Sequence, residues 1–300
     1  MPRKAIENNE NVSHKTRWSA SRVGTFDICP LKYKLHYVEK WDPSFKVNTE
    51  AADKGTVFHE TVEQYTTGRN PDEMWAIIES KCKEYNIDIH KYDYASAMQK
   101  FYAFWEYFIV PKEKEGGWQI LKEDEITGEI NGEPFVGYLD LLCVNEEKKL
   151  IEIYDYKSGK TPSTSSYKNQ QVLYAYLEGL KRGWSYKEIA EHVILNLFFP
   201  LYPSLKDLNI KDNMLRCIKE IKFDENTVKE VIEDYFKKNI EQIHLTDWTS
   251  NVEGKFSYAC NWCQYCGSKA QENGFSGCSK SIDLGMKTPE NAIYNKRIYG

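Results

Sequence analysis

Residues Gly137–Lys160 read GYLDLLCVNEEKKLIEIYDYKSGK. Two apolar runs flank a charged turn. Each run carries an acid where a strand would bury a hydrocarbon side chain: Asp140 in the first, Asp155 in the second. Lys157 follows two residues after Asp155. Strand side chains alternate between faces. Val136, Tyr138 and Asp140 therefore share one face, as do Ile151, Ile153, Asp155 and Lys157 on the next strand. With the turn centred near Glu147, the antiparallel partner of Asp140 falls at residue 154 or 155. The two carboxylates then project into one space, with Lys157 beside them. Carboxylates that close repel and raise each other's pKa. A divalent cation removes the conflict, because Mg²⁺ and Mn²⁺ favour carboxylate oxygens and leave positions for water and a substrate phosphate. The lysine can orient or deprotonate an attacking water, or neutralise charge on a phosphoryl group. The plain alternative is a solvated Asp140 and a surface Asp155–Lys157 ion pair.

Working outward, the alternating pattern extends back to about Trp118, with turn signals at Asn131-Gly132 and at Asn145 to Lys149. It predicts a meander of three or four strands. Helical patterns flank it. Ser19 or Ser21 caps a helix that meets a second at Cys29-Pro30. Further helices are predicted from Asn48 to Gly68 with Val57, Thr61, Val62 and Tyr65 inward, over 72–85, and over 92–110 with a stop at Pro111. After the meander come a helix ending near Gly183, a strand over Val193–Phe199, and a long amphipathic helix from Phe223. This order predicts an α+β fold, a mixed sheet flanked by helices. The expected organisation is a loose leader over 1–17, one domain over 18–282 and a polar tail over 283–300. Within that domain, 18–112 is helical, 113–245 is the core and 246–282 is cysteine-rich.

The net charge of -5 argues against a protein that merely coats phosphate, so any contact with nucleic acid must be through a local groove. The 21 Tyr, 13 Phe and 8 Trp can fill a core or stack on bases. No apolar run reaches the roughly 18 residues of a membrane span. The polar N-terminus does not read as a secretory signal. A cytoplasmic protein is expected, so its eight cysteines are a weak disulfide framework. Cys260, Cys263, Cys266 and Cys278 cluster and point to metal ligation. Cys82, Cys143 and Cys217 sit singly among apolar neighbours and read as core filler.

Four short motifs occur in order: Gly55-x-x-x-His59, Gly137-x-x-Asp140, Asp155-x-Lys157 and Gln170-x-x-x-Tyr174. By themselves, His59 is a helical residue of a kind that more often packs than ligates, and Gln170 and Tyr174 are one half-buried helix face. The ordered set resembles the PD-(D/E)xK nuclease superfamily in its RecB-like branch, which includes CRISPR-associated and phage recombination exonucleases. The resemblance runs from about Ser19 to Cys278. It implies a restriction-endonuclease-like core and a metal-dependent DNA exonuclease of recombination, repair or DNA processing. It further implies that His59, Asp140, Asp155 and the Tyr156 backbone carbonyl hold Mg²⁺ or Mn²⁺, that Lys157 is the catalytic lysine, and that Gln170 and Tyr174 position substrate. DNA ends, single-stranded or duplex, are the implied substrate, and recombination or replication proteins and oligomers are admitted as partners. The middle motif lacks a Pro before its Asp, and the last acid is Asp rather than Glu.

The resemblance also implies a [4Fe-4S] cluster stapling Cys29 to three C-terminal cysteines. Cys260 and Cys263 fit the start of that trio; Cys278 is preferred for the last place, with Cys266 the alternate because it sits so close. A four-cysteine site suits Zn²⁺ as well as iron-sulfur. Two rival readings are an inactive nuclease fold that binds DNA or protein, and a zinc-stabilised structural protein.

Overall fold

A computed structural model describes residues 17–40, 50–68, 71–159, 162–250, 252–255, 260, 263, 265 and 278. Residues 1–16 of the expected leader, the tail over 283–300 and Cys266 lie outside the described residues. Ser19 caps the first helix by accepting from the Arg22 N–H at 3.2 Å. That helix, α1 (Ala20–Ile28), ends at an extended Cys29, and Pro30 opens α2 (Pro30–Tyr33) in the first turn, where its missing N–H costs nothing. The chain continues as a wide π turn over Lys34–Val38. α3 (Glu50–Gly68) and α4 (Pro71–Glu84) follow. Val57, Thr61 and Val62 are buried on α3, as the periodicity predicts; the Tyr65 side chain lies outside the described residues.

α5 (Tyr94–Phe104) is capped by Asp93 and runs through a π turn, Trp105–Ile109, into α6 (Val110–Glu115). The expected stop at Pro111 is therefore wrong. The proline occupies the first turn of α6, after a π turn has already changed the hydrogen-bond register, so the chain remains helical.

β1 (Gln119–Ile130) and β2 (Glu133–Asn145) pair antiparallel through Asn131 (φ 54) and Gly132 (φ 77), the two left-handed residues a tight hairpin turn requires. β3 (Leu150–Tyr156) pairs antiparallel with β2. α7 (Lys168–Leu180) and α8 (Tyr186–His192) then cross over to β4 (Val193–Phe198), which lies parallel to β3. Ser185 and Glu188 form a capping box that starts α8. α9 (Ile210–Cys217) and β5 (Ile218–Ile221) come next, and β5 closes the sheet antiparallel to β4. Both escaped the sequence reading: the four residues of β5, IKEI, do not alternate. α10 (Glu225–Lys229), a π turn over Glu230–Lys237 and α11 (Lys238–Leu245) form the expected long amphipathic stretch.

The sheet order is β1-β2-β3-β4-β5. β3 shows how it divides the core. Ile151 and Ile153 pack on one side with Val172, Leu177, Leu195 and Phe236. Tyr154 and Tyr156 pack on the other with Val57, Phe101, Phe104 and Phe198. Burying each large ring contributes roughly 1.5–3 kcal/mol of transfer free energy. Cys82, Cys143 and Cys217 are buried, as expected of core filler. The result is the mixed α+β arrangement of a restriction-endonuclease-like core.

Candidate active site and metal centre

Leu141 faces Tyr154 across β2 and β3, so the next rung sets Asp140 opposite Asp155. Asp140 Oδ2 accepts from the Tyr156 N–H at 2.5 Å. Asp155 Oδ2 forms an ion pair with Lys157 Nζ, and both side chains are largely shielded, at 7% and 16% exposure. That oxygen is sealed from solvent and receives no hydrogen bond of good geometry among the described residues. The Lys157 N–H donates to the Phe198 carbonyl at 2.8 Å, which anchors the residue just beyond β3. Its ammonium lies 4.5 Å from the centroid of the Tyr167 ring, a cation–π contact.

His59 reaches the same place from α3. Its Nδ1 is 3.7 Å from Asp140 Oδ1, and its ring hydrogen-bonds the Tyr156 backbone. The Tyr156 backbone thus gives its N–H to Asp140 and lies beside His59, while the Tyr156 side chain points into the core beneath.

The motif glycines have packing reasons. A Cβ on Gly55 would lie 2.7 Å from Ser158 Oγ, immediately after Lys157. A Cβ on Gly137 would lie 2.4 Å from Tyr174 Cε1. Glycine therefore lets α3 and α7 approach the strands closely enough to deliver His59 and Tyr174. Tyr174 is in turn oriented by Gln170, whose Nε2 donates to its hydroxyl at 2.8 Å. One cavity of 480 Å³ is lined by His59, Asp140, Asp155, Lys157, Gln170 and Tyr174. A larger hollow of 790 Å³ between α4, α5 and α9 is apolar and holds none of them, so size alone does not locate the site.

Sequence reasoning missed one acid. Glu123 stands on β1 between rungs Lys122–Leu141 and Asp124–Leu139, and so faces Asp140. Glu123, Asp140 and Asp155 therefore share one rung across three neighbouring strands. The signal was present: Glu123 and Asp140 lie at equal distances on either side of the Asn131-Gly132 turn. Glu123 adopts φ 48, which is rare for a residue with a side chain. Ligand atoms of His59, Glu123 and Asp140 all lie within 4.8 Å of one another. Asp155 falls outside that set, since its carboxylate is engaged with Lys157.

The charges respond as crowded acids should. Burial, then the Asp155 charge, push the Asp140 carboxyl well above its usual range, and the Tyr156 N–H offsets only part of this. Burial, with Glu63 and Asp155 adding, pushes Glu123 up to about 7. Burial lowers His59, leaving its imidazole neutral and able to ligate near pH 7. Tyr174 is pushed up to about 12, mainly by burial. Two carboxylates that resist ionisation together and a neutral imidazole suit a hard divalent cation.

The cysteines lie elsewhere. The Lys255 N–H donates to Cys29 Sγ at 3.4 Å. Burial raises the Cys29 thiol, and Cys263 and Cys278 lie within electrostatic reach of it, but no three of the described cysteines bring their sulfurs within 4.8 Å of one another. Cys260 joins the same segment, its carbonyl accepting from the Cys263 N–H at 3.3 Å.

Among the described residues no helix is long and apolar enough to cross a membrane. No curated protein matched the chain in a sequence search. A family model does match, over residues 17–270 of the 300. By that match, which spans well over half its length, the chain belongs to the PD-(D/E)XK nuclease superfamily.

Proposed function

We propose that this chain is a Mg²⁺- or Mn²⁺-dependent DNA exonuclease of the RecB-like branch, acting in recombination, repair or DNA processing. The observation that carries the reading is the opposition of Asp140 and Asp155 with Lys157 and His59 around one cavity. Asp140, Glu123, His59 and the Tyr156 carbonyl would hold the cation, with Asp155 as a further carboxylate at the same rung. The cation supplies Lewis acidity and a more acidic bound water.

The chain's own groups do the rest. Lys157 is positioned by its backbone bond to Phe198, by Asp155 and by the Tyr167 ring. Its ammonium is thereby aimed at the cavity, where it orients the attacking water or offsets charge on the phosphoryl oxygens. Gln170 and Tyr174 form the wall against which the substrate strand rests. Cys29, Cys260, Cys263 and Cys278 would carry a [4Fe-4S] cluster tying the end of α1 to the C-terminal segment; the proximity of Cys29, Cys263 and Cys278 supports this, and Zn²⁺ is the alternative metal.

The test is a time course on end-labelled linear DNA and on closed circular DNA, with Mg²⁺, with Mn²⁺ and with EDTA. The expected result is metal-dependent loss of linear DNA from its ends while the circle persists. Nicking of the circle would overturn the exonuclease reading, and equal cleavage in EDTA would overturn the metal requirement.

A further inference from the structure

A second groove opens from the catalytic cavity, and the two share Ala20, Ser21 and Gln170 as a common wall. It runs between α1, the start of α7 and Tyr235, and its volume is 330 Å³. That is near the lower end of cavities that take small organic ligands, and is the scale of a single nucleoside.

Its lining is unlike a phosphate site. None of the described residues around it is Lys, Arg or His, and Asp27 would repel an anion. Apolar surface comes from Ile28 and Phe236, and polar edges come from Asp27, Asn169 and the serines before α7. A nucleobase has the matching character, with apolar faces and hydrogen-bonding edges. Asp27, Asn169 and Tyr235 all line it together.

Gly24 adds an independent observation. It sits inside α1, where glycine costs roughly 0.5–1 kcal/mol relative to alanine. Its conformation is helical, and a Cβ there would meet only Tyr235 Oη at an ordinary 3.6 Å. Neither backbone nor packing requires glycine at this position. What its missing side chain leaves is open groove.

We propose that the groove between α1, α7 and Tyr235 is a nucleoside subsite that takes one unpaired base next to the phosphate bound in the catalytic cavity. The inference rests on the nuclease reading and names its substrate class. A base whose edge faces Asp27 and Asn169 cannot at the same time pair with a complementary strand, so the DNA presented to the site is single-stranded, or frayed at its end.

The test uses the full chain with Mn²⁺ on three substrates: a single-stranded oligonucleotide, the same sequence as a blunt duplex, and bis(p-nitrophenyl) phosphate, a phosphodiester without a base. The wild type is expected to cleave the single strand faster than the duplex. Gly24→Gln and, separately, Ser166→Trp narrow the groove. Each should lower the ratio of oligonucleotide to bis(p-nitrophenyl) phosphate hydrolysis on the order of tenfold, the scale of one lost base contact. A duplex cut as fast as the single strand, or an unchanged ratio in both variants, overturns the subsite while leaving the nuclease reading intact. Wild-type protein that hydrolyses none of the three overturns the nuclease reading, and the subsite with it. Should Gly24→Gln disturb α1, the exposed Ser166 position decides alone.

Discussion

Lys157 is the residue on which the proposed chemistry most depends. Its ammonium forms a largely shielded ion pair with Asp155 and lies over Tyr167, so Lys157→Ala leaves a carboxylate unpaired and should lower the thermal midpoint in EDTA while the fold persists. Cleavage should fall by about 10²–10⁴-fold, the usual contribution of a positioned acid–base group. Full activity of the purified variant in Mg²⁺ or Mn²⁺ would remove the lysine from the mechanism. Glu123 makes a second prediction. Glu123→Gln keeps the shape of the side chain and deletes a charge beside His59 and Asp140, so Mn²⁺ should bind more weakly by roughly tenfold or more, as read by titration calorimetry. The pH dependence has a definite sign. Glu123 titrates near 7 when folded against an ordinary 4.5, and Asp140 is raised as well. The folded protein therefore keeps protons that the unfolded chain releases, and stability falls as pH rises from about 4.5 through about 7. In EDTA the thermal midpoint should drop across that window, Glu123→Gln should flatten the drop, and Mn²⁺ should oppose it.

At the scale of elements, the site exists because two helices lie unusually close to strands. Gly137→Ala would drive a methyl group into the ring of Tyr174, a cost of roughly 1–3 kcal/mol. Gly55→Ala should cost less, because the nearest atom is the Ser158 hydroxyl, which can rotate away. Urea melts of the two single variants, and of Gly137→Ala combined with Tyr174→Ala, check the order; the double variant should recover part of the loss through coupling of the contacting pair. The strand pairings were largely legible, because hairpin register follows from turn length and alternation. The Asn131-Gly132 turn and the turn near Glu147 together put Glu123, Asp140 and Asp155 on one rung. Pro111 misled because a proline breaks a helix only where an N–H would have been used, and the preceding π turn had already shifted that bond. β5 was illegible because it is too short to show a period.

Across the whole molecule, the proposed cluster predicts a long-range tie. Cys29 and Cys263 are far apart in sequence yet close enough to feel each other's charge. Cys29→Ser should abolish absorbance near about 400 nm if the metal is iron-sulfur, and lower the thermal midpoint whichever metal is bound. Colourless wild-type protein with stoichiometric zinc would decide for the alternative. The apolar character of the larger hollow between α4, α5 and α9, set against the polar catalytic cavity, shows why neither volume nor greasiness would have located the chemistry.

Sequence by itself determined what depends on neighbours along the chain: a serine cap at 19 or 21, the Asn131-Gly132 turn, the alternation of β2 and β3, and so the opposition of Asp140 and Asp155. These follow from dihedral preference, hydrogen-bond reach and a period of two. Only the tertiary structure decided that His59 reaches Asp140 from α3, that Lys157 lies over Tyr167, that Gly24 and Tyr235 bound a groove beside the site, and that Cys263 and Cys278 come within electrostatic reach of Cys29. The reason is physical. Such contacts are set by which faces of distant elements bury together on the sheet, and no local rule carries that information.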